Sequence, residues 1–202
     1  MNIRKLEQKM KDFPCFSLSQ IKSFEPDFLR WNLTQWQKKW YINRISKWRY
    51  CFAEWKKTEE QLFRMSNLIY QPSYISMESA LRYYNLIPEG VYQTTACTSK
   101  KTQTLSWERG IFYYYHLAPK LFRWYQLQKN QNSEWYLATV EKTICDFFYL
   151  KPWNTQKDFQ ELRIDTHELQ KLTNKNQLLK CAIAFNHKKL LPTIQDFTTY
   201  AF

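Results

Sequence analysis

The sequence predicts an α+β fold in two parts: a winged helix-turn-helix over residues 1–57, then a mixed α/β domain over 58–202 with a small sheet and C-terminal helices. Three observations carry this. Three short helical patterns are followed by a basic hairpin, which is the element order of a winged helix. Two β-rich runs, 91–98 and 110–117, alternate as strands of a small sheet do. Helix-spaced apolar residues then fill 155–199 (Phe159/Leu162 and Leu178/Leu179/Ala182/Ile183).

In order, residues 2–12 read as a charged amphipathic helix stopped at Phe13-Pro14. Ser17 is placed to cap a short helix carrying Leu18, Ile21 and Phe24. Glu25-Pro26-Asp27 is expected to open a third helix, with proline in the first turn and acids at the positive end of the dipole, running to about Lys39. Strands at 41–45 and 49–52, joined by Ser46-Lys47-Trp48, complete the first part. At 100° per residue Leu29, Leu33 and Trp36 form the buried stripe of the third helix, and Arg30, Trp31, Thr34, Gln35 and Lys38 face the other way.

Charge points to a partner. Residues 1–57 hold 13 Lys/Arg against 5 Asp/Glu, a net +8 of the chain's formal +12. So uneven a basic excess favours a polyanion-binding module at the N-terminal end. On that reading the DNA-binding residues are Arg30, Thr34, Gln35, Lys38, Arg44, Lys47 and Arg49. Gln35 suits adenine and Arg30 guanine, Lys38 suits a phosphate, and Arg44, Lys47 and Arg49 line the wing. The bland alternative is a small helical domain with a solvated basic face, and the large ring of Trp31 counts against a clean reading face.

In the second part a polar junction at 54–60 leads into a helix carrying Leu62, Met65, Leu68 and Ile69. Pro72-Ser73 reads as a turn that breaks it. Ser76 is expected to cap the next helix, Asn85 to take the left-handed exit, and Pro88 to prevent continuation. The Tyr113–Tyr115 run reads as sheet packing rather than a base-stacking platform. A strand from Trp135 enters a helix capped by Thr139 and ended at Lys151-Pro152. In that helix a cap and surface i,i+4 pairing account for Glu141, Lys142 and Asp146. The same residues also admit a metal-dependent nuclease reading, though such a site needs acids converging from separate strands. Two or three helices are expected in the tail.

Composition limits the rest. With 44% apolar and 18% aromatic residues the 202-residue chain can build a globular core, as one ordinary domain or two small ones. No apolar run approaches the roughly 18 residues of a membrane span, and the first residues lack the apolar stretch of a signal peptide. Five scattered cysteines without a CxxC pair read as reduced, mostly buried thiols of a cytoplasmic protein, and three isolated histidines offer no metal-ligand spacing. No cofactor or metal is expected.

Four stretches, Phe16-Ser-Leu-Ser with Trp36-Gln-Lys-Lys-Trp-Tyr-Ile42, Pro72-Ser-Tyr-Ile-Ser-Met-Glu-Ser-Ala-Leu81, Leu86-Ile-Pro-Glu89 and Ala138-Thr-Val-Glu-Lys142 with Asp146, resemble the AbiEi family of antitoxins, over about residues 13–165. The resemblance implies a non-enzymatic regulator of a viral-defence, abortive-infection locus. Such a protein pairs a winged-helix DNA-binding domain with an antitoxin domain, represses its own toxin–antitoxin operon, and counters a nucleotidyltransferase-like toxin encoded beside it. An inverted-repeat operator is the natural target of two such modules. A protein-binding defence accessory that no longer contacts DNA is the alternative from another class.

The family usually has Gly where this chain has Trp40, Trp48, Trp124 and Asn85. Position 40 is the expected residue just past the third helix and position 48 lies in the wing turn, both places that favour glycine. The chain has 2 Gly and 9 Trp. The hypothesis that follows is that UGA codons meaning glycine stand here as tryptophan; UGG at codons 40, 48 and 124 would sink it.

Overall fold

The computed structural model describes residues 1–11, 13–54, 58–90, 92–107, 110–130, 133–151 and 155–202. The expected end of the first helix at Asp12, residues 55–57 of the polar junction, the strand start at Val91 and the Pro152 stop therefore lie outside the described residues.

The chain begins with α1 (Ile3–Met10), whose N-terminus is capped by Asn2, and α2 (Leu18–Phe24). Ser17 and Gln20 close α2 with a reciprocal capping box, so the expected cap is present. The third helix, α3 (Arg30–Lys38), starts later than the Glu25-Pro26-Asp27 signal suggests. Glu25 ends α2 in a non-helical conformation, residues 26–27 turn, and Phe28 is directed inward against Trp36, ring centroids 5.5 Å apart. Phe28 thus fills the place assigned to Leu29, which is 67% exposed. Periodicity projected Leu29 onto the buried stripe of a helix that has not yet begun there.

Strands β1 (Ile42–Ser46) and β2 (Arg49–Phe52) pair antiparallel, with an irregularity between Arg44 and Ser46. Phe16 joins them by exchanging backbone hydrogen bonds with Tyr50 at 2.8 and 2.9 Å. Leu6, Met10, Phe16, Ile21, Phe28, Leu33, Trp36, Ile42 and Tyr50 form one core from residues of this part alone. Cys15, Ile45 and Cys51 turn the other way and join a core in the rest of the chain.

Helix α4 (Glu59–Ile69), capped by Thr58, leads to β3 (Ser73–Ile75), α5 (Met77–Tyr83), β4 (Gln93–Thr98), β5 (Gln103–Trp107), β6 (Gly110–His116), β7 (Tyr125–Lys129), β8 (Glu134–Ala138) and α6 (Val140–Leu150). The six strands form one mixed sheet in the order β5-β6-β4-β3-β8-β7. The Pro72-Ser73 stretch read as a turn instead runs into an interior strand that already includes Ser73, antiparallel to β4 and parallel to β8. Three residues are too few to display a period, but their faces alternate as a strand requires. Tyr74 packs with α6 on one side and Ile75 with α4 on the other. The edge strands β5 and β7 escaped the sequence reading, because both faces are partly exposed and no continuous apolar run marks them.

Four helices follow, one more than expected at most: α7 (Gln156–Leu162), α8 (Thr166–Leu172), α9 (Lys175–Phe185) and α10 (Leu190–Ala201). With α6 they bury Ile144, Phe148, Phe159, Phe185 and Phe197 beneath Tyr74 and Cys97 of the sheet. All five cysteines are buried. Among the described residues no helix is long and apolar enough to cross a membrane.

Candidate nucleic-acid interface

The amphipathic pattern of α3 decides which side chains face out. Leu33 and Trp36 anchor it in the first core, leaving Arg30, Trp31, Thr34 and Lys38 exposed and Gln35 half-buried. Helix α3 ends as expected for a C-terminal motif closed by a left-handed residue. Trp40, with φ of 59°, sends its N–H to the Gln37 carbonyl, and Tyr41 N–H returns to the Trp36 carbonyl. The next residues enter β1, so the exposed face of α3 and the hairpin turn lie side by side.

The residues of the β1–β2 hairpin divide by what they touch. The Trp48 ring joins helix and turn: the Arg30 guanidinium lies 6.0 Å and the Lys47 ammonium 5.3 Å from its centroid. Arg44 folds back on its own turn, donating from Nε to the Ser46 carbonyl at 3.1 Å and from Nη2 to the Lys47 carbonyl at 3.4 Å. Arg49 is half-buried and donates to Gln20 Oε1 at 3.2 Å. That oxygen also accepts the Ser17 N–H at 2.8 Å, so Arg49 braces the start of α2. Lys38 and Lys47 are the exposed lysines of the proposed set. The bracing role of Gln20 was missed by the sequence reading, although Ser-x-x-Gln at 17–20 is a recognised capping pattern.

Around this basic face the structure exposes Leu29, Trp31, Trp40, Tyr41 and Trp48, each at least 46% accessible. Trp48 does not have positive φ, so the β1–β2 turn does not demand glycine at this position, contrary to the expectation for it. Trp124, with φ of 60°, and Asn85, with φ of 56°, do occupy the left-handed region.

The residues of the nuclease reading are placed differently. Lys142 and Asp146 are fully buried and bonded to each other, which corrects the expectation of a surface pair. The second Asp146 carboxylate oxygen accepts the Tyr74 and Ser76 hydroxyls, both at 2.9 Å. Ser76 therefore spends its hydroxyl on Asp146 rather than on the expected helix cap, although its backbone does sit at the N-cap of α5. Glu141, at the start of α6, accepts the Thr173 hydroxyl instead of converging with Asp146. Burial holds the Tyr74 hydroxyl and the Cys97 thiol well above their ordinary pKa values, and the Asp146 carboxylate adds to both shifts. Both groups keep their protons, so this cluster works as a network of neutral donors around one buried ion pair. Among the described residues no group of three His, Cys, Asp or Glu could hold a metal ion.

Scanned against protein-family models and against curated proteins, the chain finds no match in either.

Proposed function

We propose that the protein is a DNA-binding transcriptional autorepressor and antitoxin of an abortive-infection operon, with residues 1–57 acting as a winged helix. The observation that carries the DNA-binding part is the exposed face of α3 beside the β1–β2 turn, where Arg30 and Lys47 flank one ring. The element order, the separate core of this segment and its net +8 charge support the same reading. In this mechanism Lys38 and Lys47 take phosphates and confer salt-sensitive affinity, while Arg30, Thr34 and Gln35 meet base edges. The antitoxin part rests on the AbiEi resemblance of the sequence, with a nucleotidyltransferase-like toxin as functional partner.

An electrophoretic shift assay on the DNA upstream of the gene tests the first part. Wild type is expected to shift it and Gln35→Ala/Lys38→Ala to lose at least tenfold in affinity, given about 1–3 kcal/mol for a good base contact. No shift by wild type would overturn the DNA-binding reading. Co-expression with the neighbouring toxin candidate tests the second: growth restored by this chain supports an antitoxin, and unrelieved toxicity counts against it.

The exposed Leu29, Trp31, Trp40, Tyr41 and Trp48 favour a second reading, a protein-binding defence accessory that docks through this face. Failure to bind DNA, together with a Trp31→Ala-sensitive complex with the neighbouring gene product, would select it.

A further inference from the structure

The turn between β4 and β5 carries two lysines to a concavity of about 710 Å³ lined also by Tyr70, Thr102 and His116. This turn is braced. The Thr98 hydroxyl donates to the Pro72 carbonyl at 2.7 Å, and the Lys100 N–H to Thr98 Oγ1 at 3.2 Å. The His116 N–H donates to Thr102 Oγ1 at 3.1 Å, and the Tyr70 hydroxyl to the Lys101 carbonyl at 3.1 Å. The Lys100 ammonium sits 5.5 Å from the Tyr70 ring centroid. His116 Nδ1 lies 2.8 Å from the Lys100 carbonyl. A carbonyl only accepts, so that nitrogen carries the proton and Nε2 is left as the ring's other polar atom.

No carboxylate lines the concavity, and among the described residues neither lysine has an ion-pair partner. Two consecutive lysines on a pinned turn bring positive charge to this concavity, which a bound oxyanion would offset. Thr102 and His116 add short polar groups at the same place. Lysine holds phosphate as a compact point charge, without the fixed geometry arginine needs.

We propose that this concavity binds the phosphate group of a phosphorylated small molecule, held by Lys100 and Lys101 with His116 beside them. The assignment does not depend on the DNA-binding reading. Isothermal titration of the full chain with inorganic pyrophosphate at constant ionic strength tests it. Saturable binding at one site is expected, weakened about tenfold or more in Lys100→Met/Lys101→Met as the charged hydrogen bonds are lost. Lys188→Met/Lys189→Met, which removes the same charge from an exposed stretch elsewhere, should leave the affinity unchanged. Absence of saturable binding, or equal weakening in both double variants, overturns the proposal. So does weakened binding of the upstream DNA by the Lys100/Lys101 variant when wild type takes up no pyrophosphate, because the lysines would then serve a nucleic-acid backbone.

Discussion

Lys142 and Asp146, one turn apart on α6, meet at 2.5 Å with neither side chain reaching solvent. The pair is satisfied from three directions. Tyr74 of β3 and Ser76 at the head of α5 donate to the carboxylate, and the Phe185 ring of α9 lies 4.3 Å from the ammonium. One buried ion pair thus joins the sheet, α5, α6 and α9.

Breaking it from one side should be costly. Asp146→Asn or Lys142→Met leaves the other group buried without its counter-charge, and each is expected to lose about 3–5 kcal/mol in urea unfolding. The Lys142→Met/Asp146→Leu double variant should recover much of that loss, since apolar replacement of a buried pair is often neutral. A double variant as unstable as the sum of the singles would show that the two groups are not coupled, and would overturn this account of the pair.

Left-handed backbone at Trp40 leads to a prediction of opposite sign. Its ring is 73% exposed, so Trp40→Gly sacrifices little packing and removes the roughly 1–2 kcal/mol strain of an L-residue at φ near 60°. A higher unfolding midpoint is expected. Trp124→Gly relieves the same strain but gives up packing of a half-buried ring, so its gain should be smaller. Trp48→Gly should give no gain, because its φ is not positive. If all three respond alike, backbone strain is not the cause.

The basic residues of the N-terminal part should separate in a salt titration of DNA binding. Lys38→Ala and Lys47→Ala are each expected to lower the slope of log affinity against log salt by about one, the signature of a lost phosphate contact. Arg49→Ala should instead lower stability by about 1–2 kcal/mol through its lost bond to Gln20, as read by thermal unfolding. A full slope change in Arg49→Ala without loss of stability would reverse these roles.

Alkaline pH should weaken the fold. Burial pushes the Cys15 thiol from 9.0 up to about 11 and also raises Cys97 and Cys145 well above the ordinary thiol value, so the folded state holds protons that the unfolded chain releases. The stability these protonated thiols support is complete below about pH 9 and declines as pH rises toward 11. Each thiol ionised only in the unfolded state steepens the fall by about 1.4 kcal/mol per pH unit. Urea midpoints measured between pH 8 and 11 check this, and a flat profile would contradict the burial assigned to these cysteines.

Local chemistry made several elements legible. The Ser17 and Thr139 caps, the Asn85 exit and the left-handed turn after α3 follow from side-chain and backbone preferences within a few residues. Position 40 could be anticipated as left-handed because a helix end needs that geometry whichever residue occupies it. The outward face of α3 was legible for the same reason, since a helical period needs only neighbours along the chain.

What the sequence by itself determined is therefore the mixed helix-and-strand class, the basic N-terminal segment with its hairpin, and the outward set Arg30, Thr34 and Lys38. Tertiary structure alone decided that Phe28 replaces Leu29 in the core, that Ser73–Ile75 is an interior strand, and that Ser76 serves Asp146 instead of its own helix. It also turned Lys142 and Asp146 from a surface pair into a buried one, and drew Arg49 onto Gln20. In each case the deciding partner lies far along the chain: Tyr74 is 72 residues from Asp146, and Gln20 is 29 from Arg49. Periodicity and capping patterns are local, whereas burial of a charge depends on which distant groups arrive to satisfy it.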